Sequence, residues 1–598
     1  MNSALSLKVI IGHRGTGKSS FLQRCSENFP EAGPYYDLDN EIEKEKGLSI
    51  EDIFRINGEV IFRKLESEVF KKLASKAKLM AVGAGFNLQN IPDDAEVIWL
   101  RRASDSMGRI FTDRPRLLIG TNPLLEYETK QKEREPLFAA RASLIYTLPE
   151  GLALSQSAKN LEKQLFISIL NPSLQVAEIK VGGIKTFFPS DFKLQTLGTP
   201  DFYELRDDLF SPLEMKQYAE VYEGCPFLYS FRIENFRATK GNEKIILNSA
   251  WLDLPVNTKL KVDCLRKDQT LIRSSHQDDI YSGIQELEPL SDVHLKLSPM
   301  VNAWKELLAG HQWQQKDAKN RSFLPRSNEG RWKWYRLYQK GRQELNFWYE
   351  SQCSAPDQPS FFEWTLQPEK VSSFAAVLGS PVQKSFSPLM HYDFFKNRNS
   401  CLFAIDIKKE EWPEAMTILQ SLGLVAAAVT SPLKKLAYEA NYLLTDLAKE
   451  LKAVNTLAWN QEMKNWQAEN TDFFGFIKFL KGQDLPGPTV IWGGEGVLPM
   501  LKKALPAASC YSARSGKPKE KNPEIVSPSV VIWAAPSRSE IAFPPTHWQP
   551  QVIVDLNYAE NSLGRQYAMQ ARVKYISGLD FFRFQALEQQ NFWSQFLS

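Results

Sequence analysis

The chain has 598 residues, enough for about three to five domains that each bury a core. Its 73 basic and 70 acidic residues leave a formal net charge of +3, which excludes the strong field of a nucleic-acid binder or of a protein drawn to an anionic membrane. Cys25, Cys225, Cys264, Cys353, Cys401 and Cys510 lie far apart with no Cys-x-x-Cys, against a disulfide framework or a zinc site, and no run reaches the ~18 apolar residues of a membrane span. A cytoplasmic location is expected, with small molecules as partners, no nucleic acid and no membrane; a homodimer is compatible.

The apolar run that ends at Gly12 carries no cleavage-like site and reads as a first strand. It leads into Gly12-His13-Arg14-Gly15-Thr16-Gly17-Lys18-Ser19, followed by a helical stretch from Ser20 to Cys25. A glycine loop between a strand and a helix lets backbone N–H groups cradle phosphates at the helix N-terminus, so ATP binding is expected at Gly12, Gly15, Gly17, Lys18 and Ser19. Asp37-Leu38-Asp39, Gly58–Arg63, Gly83-Ala84-Gly85, Arg114-Pro115 and Arg134–Phe138 then occur in turn. Together these resemble shikimate kinase across nearly all of residues 1–172. The resemblance implies a magnesium shell from Ser19 and Asp37, and Asp39 orienting the accepting hydroxyl. It also implies a carboxylate clamp of Arg63 and Arg134 beside Gly83 and Gly85, with Arg114 closing a lid over the nucleotide. Phosphoryl transfer asks for positioning and charge neutralisation, which such a set supplies. Ala84 departs from the three glycines of that family, and the stretch from Arg109 to Arg114 is short for a lid.

The middle region has no glycine loop. It runs Glu204-Leu205-Arg206, Ser230-Phe231-Arg232, Ser274-Ser275-His276, Leu295-Lys296-Leu297, Arg336-Leu337 and Ser354–Gln358, with the apolar runs Thr258–Val262 and Val293–Leu297 read as strands. This series resembles type I 3-dehydroquinate dehydratase, a barrel enzyme that needs no cofactor. The resemblance implies an imine on Lys296, general acid–base work by His276, and a pocket of Glu204, Arg206, Arg232, Arg336, Ser354 and Gln358. A lysine among apolar neighbours loses stabilisation of its charge and becomes a usable amine. Between the apparent strands of residues 261–273 only about five residues remain, where a parallel crossover needs roughly ten or more. A shortened barrel lacking at least one helix is therefore expected.

The last region opens with Gly379–Pro388, continues through Val429–Lys434 and Ala453–Thr456, and closes with Glu469–Asp472 and Gly578–Gln585. In this order the fragments resemble shikimate dehydrogenase. Reduction of a carbonyl by hydride needs a proton donor beside it, and a small hydroxy acid is held by short hydroxyl and amide groups. The resemblance implies Lys434 and Asp472 as the catalytic pair. Ser385 and Ser387 would hold a carboxylate, and Thr430, Asn455, Tyr558 and Gln585 would complete the pocket. A strand at Thr489–Trp492 feeds Gly493-Gly494-Glu495-Gly496, a degraded dinucleotide turn in which Glu495 is unwelcome beside a pyrophosphate. With Gly493 and Gly496 on the pyrophosphate, the cations of Arg514-Ser515-Gly516-Lys517 suit the 2′-phosphate of NADP better than a ribose diol.

Turn-rich patches near residues 171–173 and 354–368 set the expected limits: a P-loop domain at 1–172, a barrel at 173–368, and a dehydrogenase-like domain at 369–598. The last divides into a substrate part, about 369–475 plus the C-terminal helix, and an NADP part, about 485–577. The fold class is α/β multidomain: P-loop kinase, shortened (β/α) barrel, and a two-part dehydrogenase with a Rossmann-like NADP domain. The order resembles the C-terminal three-fifths of the fungal pentafunctional arom polypeptide. It implies ATP, Mg2+ and NADP as cofactors, with three consecutive reactions from 3-dehydroquinate to shikimate 3-phosphate. Two alternatives stand beside it: a non-catalytic metabolite sensor of the quinate-repressor kind, and an enzyme with active end domains around an inactive middle scaffold.

Overall fold

The computed structural model describes residues 7–111, 122–170, 180–189, 191, 198–211, 213–214, 218, 226–232, 248–258, 266–350, 352–519, 527–536 and 541–597. Strands β1 (Lys8–Ile11), β2 (Tyr35–Asp37), β3 (Leu79–Ala81), β4 (Glu96–Arg102) and β5 (Leu144–Leu148) form a parallel sheet in the order β2-β3-β1-β4-β5. Two apolar clusters cover it, one around Val9, Ile11, Met80 and Val97, the other around Ile10, Leu79, Ile98 and Leu100. Alternate residues of one strand thus feed opposite faces, and both are buried, as a parallel sheet requires. The expected first strand is β1, and the expected helix is Lys18–Asn28.

Eight parallel strands follow: β6 (Ile184–Thr186), β7 (Phe202–Arg206), β8 (Phe227–Ser230), β9 (Trp251–Pro255), β10 (Thr270–Ser275), β11 (His294–Leu297), β12 (Arg321–Phe323) and β13 (Phe347–Trp348). Each pairs with the next from β6 to β12, and β13 pairs back onto β6. The sheet curls around an interior layer drawn largely from alternate strands, Ile184, Leu228, Ile272 and Leu324 with Phe347, which is barrel packing. No ladder joins β12 to β13 among the described residues. That seam is bridged by side chains: Phe323 N–H donates to Gln343 Oε1 at 3.0 Å, and Leu345 N–H donates to Ser322 Oγ at 3.2 Å.

One expectation is corrected here. The strand before the supposed five-residue connection is Trp251–Pro255, and Thr258 lies in no strand, so the connection to β10 spans residues 256–269. The short run Trp251-Leu252-Asp253-Leu254-Pro255 escaped notice because a carboxylate breaks its apolar pattern. The rest of the Thr258–Val262 run, and the expected loss of a helix, fall on residues outside those described.

The third sheet takes β14 (Phe374–Gly379), β15 (Leu402–Asp406), β16 (Leu424–Val429), β17 (Leu443–Leu444), β18 (Thr456–Asn460) and β19 (Asn465–Glu469) in the order β15-β14-β16-β18-β19-β17. β18 runs antiparallel to both β16 and β19. The fourth is parallel: β20 (Thr489–Gly493), β21 (Ser509–Tyr511), β22 (Val530–Ala534), β23 (Val552–Asp555) and β24 (Lys574–Ile576), ordered β21-β20-β22-β23-β24, a Rossmann-like half. One face packs on the helices Thr471–Lys481, Leu498–Ala504 and Leu579–Trp593, the other under Trp492, Tyr511, Trp533, Trp548 and Tyr567.

A single apolar cluster runs from the barrel helices Trp304–Gln315 and Lys333–Tyr338 into β14, β15 and β16, through Trp304, Trp334, Tyr335, Phe374 and Phe403. Arg331 pairs with Glu411 across the same junction at 2.5 Å. An apolar interface of this kind fixes two domains as one body. The P-loop domain docks as well: the carboxylate of Asp393 accepts from the N–H groups of Gln156 (2.7 Å) and Ser157 (3.2 Å) at the start of the helix Gln156–Leu170.

Candidate functional sites

At the C-terminal end of β1 the phosphate loop is shaped by its glycines. Gly15 and Gly17 have φ of 75° and 89°, and a Cβ on Gly12 would lie 2.3 Å from the Leu100 carbonyl oxygen. These are backbone positions only glycine fills without strain, which fits the loop to a polyphosphate. Lys18 Nζ donates to the carbonyls of Gly12 (3.0 Å) and His13 (3.1 Å), and Ser19 is exposed beside it. Asp37 ends β2 and caps the helix Leu38–Lys46, accepting from the N–H groups of Asp39 and Asn40. A magnesium ion held by Ser19 and Asp37 fits the hard-oxygen, phosphate-assisted chemistry of that metal.

On the substrate side the structure sets each of the two predicted glycines beside a predicted side chain. A Cβ on Gly83 would meet Asp39 Oδ1 at 3.3 Å, and one on Gly85 would meet Arg63 Nη2 at 2.3 Å, so both glycines lie against the side chains predicted to work with them. Arg63 pairs with Glu66 at 2.9 Å and Glu59 at 3.2 Å on one face of the helix Ile50–Ala74. Burial, and then the charge of Arg63, lower the pKa of Arg134. Sequence reasoning missed Glu66, fully buried, whose pKa burial pushes up to about 7 against the pull of Arg63. Its i,i+3 spacing from Arg63 was the available signal. Arg114 lies outside the described residues.

In the barrel, the predicted residues meet at the C-terminal ends of the strands. Glu204 accepts from Thr186 Oγ1 at 2.7 Å and Ser230 Oγ at 2.8 Å; Gln358 Nε2 donates to Thr186 Oγ1 and its Oε1 accepts from Ser354 Oγ at 2.9 Å. Lys296 Nζ donates to Asp253 Oδ2 at 2.7 Å, and Arg232 Nη2 donates to the same oxygen at 2.8 Å. Burial depresses the pKa of Lys296, and Asp253 opposes that shift. His276 is held well below its ordinary value by burial, then by the cations of Arg232 and Lys296, and its buried Nε2 has no hydrogen-bond partner among the described residues. The imidazole is therefore neutral, with one ring nitrogen unbonded among the described residues. Arg336 is buried and donates Nε–H to the Pro325 carbonyl at 3.1 Å, with its pKa lowered by burial to about 10. Arg206 is turned onto Asp208 at 2.7 and 3.0 Å. Asp253, Thr186 and Ser230 were not anticipated.

The third constellation is the tightest. Lys434 Nζ lies 2.5 Å from Asp472 Oδ2, and Asn455 Nδ2 donates to Asp472 Oδ1 at 2.6 Å. The fold delivers all three: Lys434 opens a helix just beyond β16, Asn455 precedes β18, and Asp472 sits in the first turn of Thr471–Lys481. The antiparallel pairing of β16 with β18 sets Val429 N–H on the Asn455 carbonyl at 2.7 Å. Ser387 N–H donates to Ser385 Oγ at 3.2 Å, and the Tyr558 hydroxyl contacts Ser385 while its ring stacks on Phe386 at 5.1 Å. Gln585 approaches because Gly475 lets two helices touch; a Cβ there would lie 2.7 Å from Gln585 Cα. Thr430 packs its methyl on Gly379, where a Cβ would lie 2.4 Å away. Gln589, not anticipated, donates to the Asn455 carbonyl at 3.4 Å.

In the fourth sheet, Gly493 and Gly494 have φ of 89° and 78° and turn tightly against Ala534 and Ala535, while a Cβ on Gly496 would meet nothing within 4 Å. Glu495 points to solvent. Arg514, Ser515 and Lys517 are exposed on a turn just past β21, and neither cation forms an ion pair among the described residues. That open, basic turn fits a 2′-phosphate.

Comparison with known proteins finds a matching family for two of these regions. Residues 14–164 match the family model of shikimate kinase, and residues 377–457 match that of the shikimate dehydrogenase substrate binding domain. The NADP(+) shikimate dehydrogenase of Xanthomonas campestris pv. campestris is 39% identical over 139 residues, covering 22% of this chain and 48% of the relative. The match therefore spans about half of that relative. The Moorella thermoacetica enzyme of the same name is 28% identical over 270 residues, 38% of this chain and 90% of the relative. Among solved structures, shikimate dehydrogenase from Aquifex aeolicus aligns over 38% of this chain and 94% of its own, at 22% identity and a TM-score of 0.32. The dehydroquinate dehydratase and shikimate dehydrogenase portion of S. pombe AroM aligns over 70% and 96%, at 15% identity and a TM-score of 0.28. The chain thus carries one region that matches the shikimate kinase family and one that matches the shikimate dehydrogenase substrate binding domain, with a curled parallel sheet between them.

Proposed function

We propose that the chain catalyses three consecutive steps of the shikimate pathway: dehydration of 3-dehydroquinate, reduction of 3-dehydroshikimate, and phosphorylation of shikimate. The observation that carries the reading is the Lys434–Asp472–Asn455 cluster, in which a buried carboxylate is bonded on both oxygens. There Lys434 donates the proton to the carbonyl oxygen as it is reduced, Asp472 orients the ammonium, and Ser385, Ser387 and Tyr558 hold the carboxylate end. NADPH supplies the hydride when bound at Gly493, Gly496, Arg514, Ser515 and Lys517.

In the P-loop domain Arg63 and Arg134 grip the same carboxylate and Asp39 orients the accepting hydroxyl toward Lys18. ATP with magnesium supplies the phosphoryl group when bound. In the barrel Lys296 condenses with the substrate ketone and releases water. His276 then takes the ring proton and returns it to the departing hydroxyl, which leaves as water, and hydrolysis of the imine returns the amine. Support for this third activity is the convergence of Lys296, Asp253, Arg232 and Glu204 at one barrel mouth.

Incubation with 3-dehydroquinate, NADPH and ATP-Mg, with each intermediate followed by mass, tests the whole reading. Shikimate 3-phosphate is the expected product. Failure of dehydration alone assigns the barrel a scaffold role, and no turnover in any step assigns a metabolite-sensing role to all three pockets.

A further inference from the structure

The P-loop domain and the fourth sheet meet at a network whose charged members Arg102, Arg109 and Glu560 have no role in the three sites. Arg109, only 2% exposed, precedes the stretch of residues 112–121 outside the described region. Its Nη1 donates to the carbonyl of Gly15 in the phosphate loop, its Nη2 to Ser104 Oγ and Asp105 Oδ1 at 2.9 Å, and its Nε lies 2.9 Å from Glu560 Oε2. Arg102 Nη1 reaches the same Glu560 carboxylate at 3.3 Å. Main-chain contacts reinforce the seam: Ile110 N–H donates to the Glu560 carbonyl at 3.1 Å, and Asn561 Nδ2 donates to the Met107 carbonyl at 3.0 Å. The ring of Phe111 packs against Gly15, where a Cβ would come within 2.6 Å.

Glu560 follows Tyr558 by two residues, and Tyr558 meets Ser385, stacks on Phe386 (5.1 Å) and contacts the tilted ring of Phe582 (4.8 Å). One short path therefore links the phosphate loop of one site to the carboxylate end of another. We infer that Glu560 is a positioning residue that couples the nucleotide loop at Gly15 to the substrate pocket at Tyr558, so that a nucleotide polyphosphate in the first loosens the second. The coupling rests on the proposed nucleotide binding at Gly12–Ser19.

The sign follows from charge. A guanidinium is shared here between one loop carbonyl and three carboxylates, those of Asp105, Glu560 and, at 3.8 Å, Glu150, and a polyphosphate on the loop brings several negative charges within its reach. Arg109 turns toward the phosphates, Glu560 loses its buried partner, and the 556–563 segment relaxes. By linkage, removing the Glu560 charge frees Arg109 and strengthens nucleotide binding.

Hydrogen exchange of the full chain with and without ADP-Mg, together with calorimetric titration of ADP-Mg, tests this. Protection of residues 12–19 with faster exchange at 556–563 is expected, and Glu560→Gln is expected to bind ADP about five-fold more tightly or better. Glu560→Asp, which keeps the charge, should fall back toward the wild-type affinity. Protected 12–19 with unchanged 556–563 and equal affinities overturns the coupling and leaves the nucleotide reading intact. A variant that only melts earlier, with wild-type ADP affinity, reduces Glu560 to a structural residue and also overturns it. Absence of protection at 12–19 removes the nucleotide reading and the coupling with it.

Discussion

Lys296 and Asp253 face each other across β10, with Nζ 2.7 Å from Oδ2 and both side chains buried. Burial lowers the pKa of the lysine while the carboxylate holds it up, so the two effects set how much free amine exists at neutral pH. Asp253→Asn removes the largest stabiliser of the ammonium. Borohydride trapping of the 3-dehydroquinate adduct should then extend about one pH unit or more further into acid than in the wild type. An unchanged trapping profile would show that Asp253 does not tune the amine, and an adduct surviving in Lys296→Ala would place the imine elsewhere.

Glu66 offers a pH test of the P-loop domain. Its folded pKa of about 7 lies above the ordinary carboxylate value, so between about 4.5 and 7 the folded state holds a proton that the unfolded state has released. Stability contributed by the neutral form is present at acid pH and is lost as pH rises through that window, by about 1–3 kcal/mol. Glu66→Gln, neutral at every pH, should flatten this loss. Exchange rates along the helix Ile50–Ala74 at pH 5 and pH 8 measure it; an equal pH dependence in variant and wild type contradicts the assignment.

Gly85 is held small by Arg63. An added Cβ would lie 2.3 Å from Nη2 and force the guanidinium off its position beside Glu66, while the phosphate loop is formed by other residues. Gly85→Ala should therefore raise the KM for shikimate in the kinase reaction about ten-fold or more, the loss of about one charge-assisted hydrogen bond. ADP affinity should stay within two-fold, roughly the error of such a comparison. Equal losses in both would mean that the strand end has collapsed instead.

How much of this was legible in the sequence depended on whether an element carried its own signature. The phosphate loop could be read because positive φ at Gly15 and Gly17 and close packing at Gly12 demand glycine at fixed spacing. Lys434, Asn455 and Asp472 were found through short polar fragments at strand and helix ends, which is where the sheet places them. Strand β9 was misplaced because its inward Asp253 interrupts the apolar run that otherwise marks a buried parallel strand. Glu66 and Gln589 lay hidden inside long amphipathic helices, where a polar residue reads as solvent-facing until packing turns it inward. The Arg109–Glu560 pair joins residues from opposite ends of the chain, and no local pattern announces it.

Arg514 and Lys517 are the residues proposed to read the cofactor. Both stand exposed on the turn after β21, with Gly516 at a φ of 69° folding the turn so that Gly516 N–H donates to the Ser512 carbonyl at 2.8 Å. A 2′-phosphate gives these cations a doubly charged partner, and a ribose hydroxyl gives them almost nothing. Each charge-assisted contact is worth about 1.5–3 kcal/mol, so Arg514→Gln with Lys517→Gln should weaken NADP roughly 100-fold and leave NAD within a few-fold. The difference should shrink in high salt, because both groups face water. Fluorescence titration of each dinucleotide measures the ratio. If NAD and NADP weaken alike, the turn does not read the phosphate.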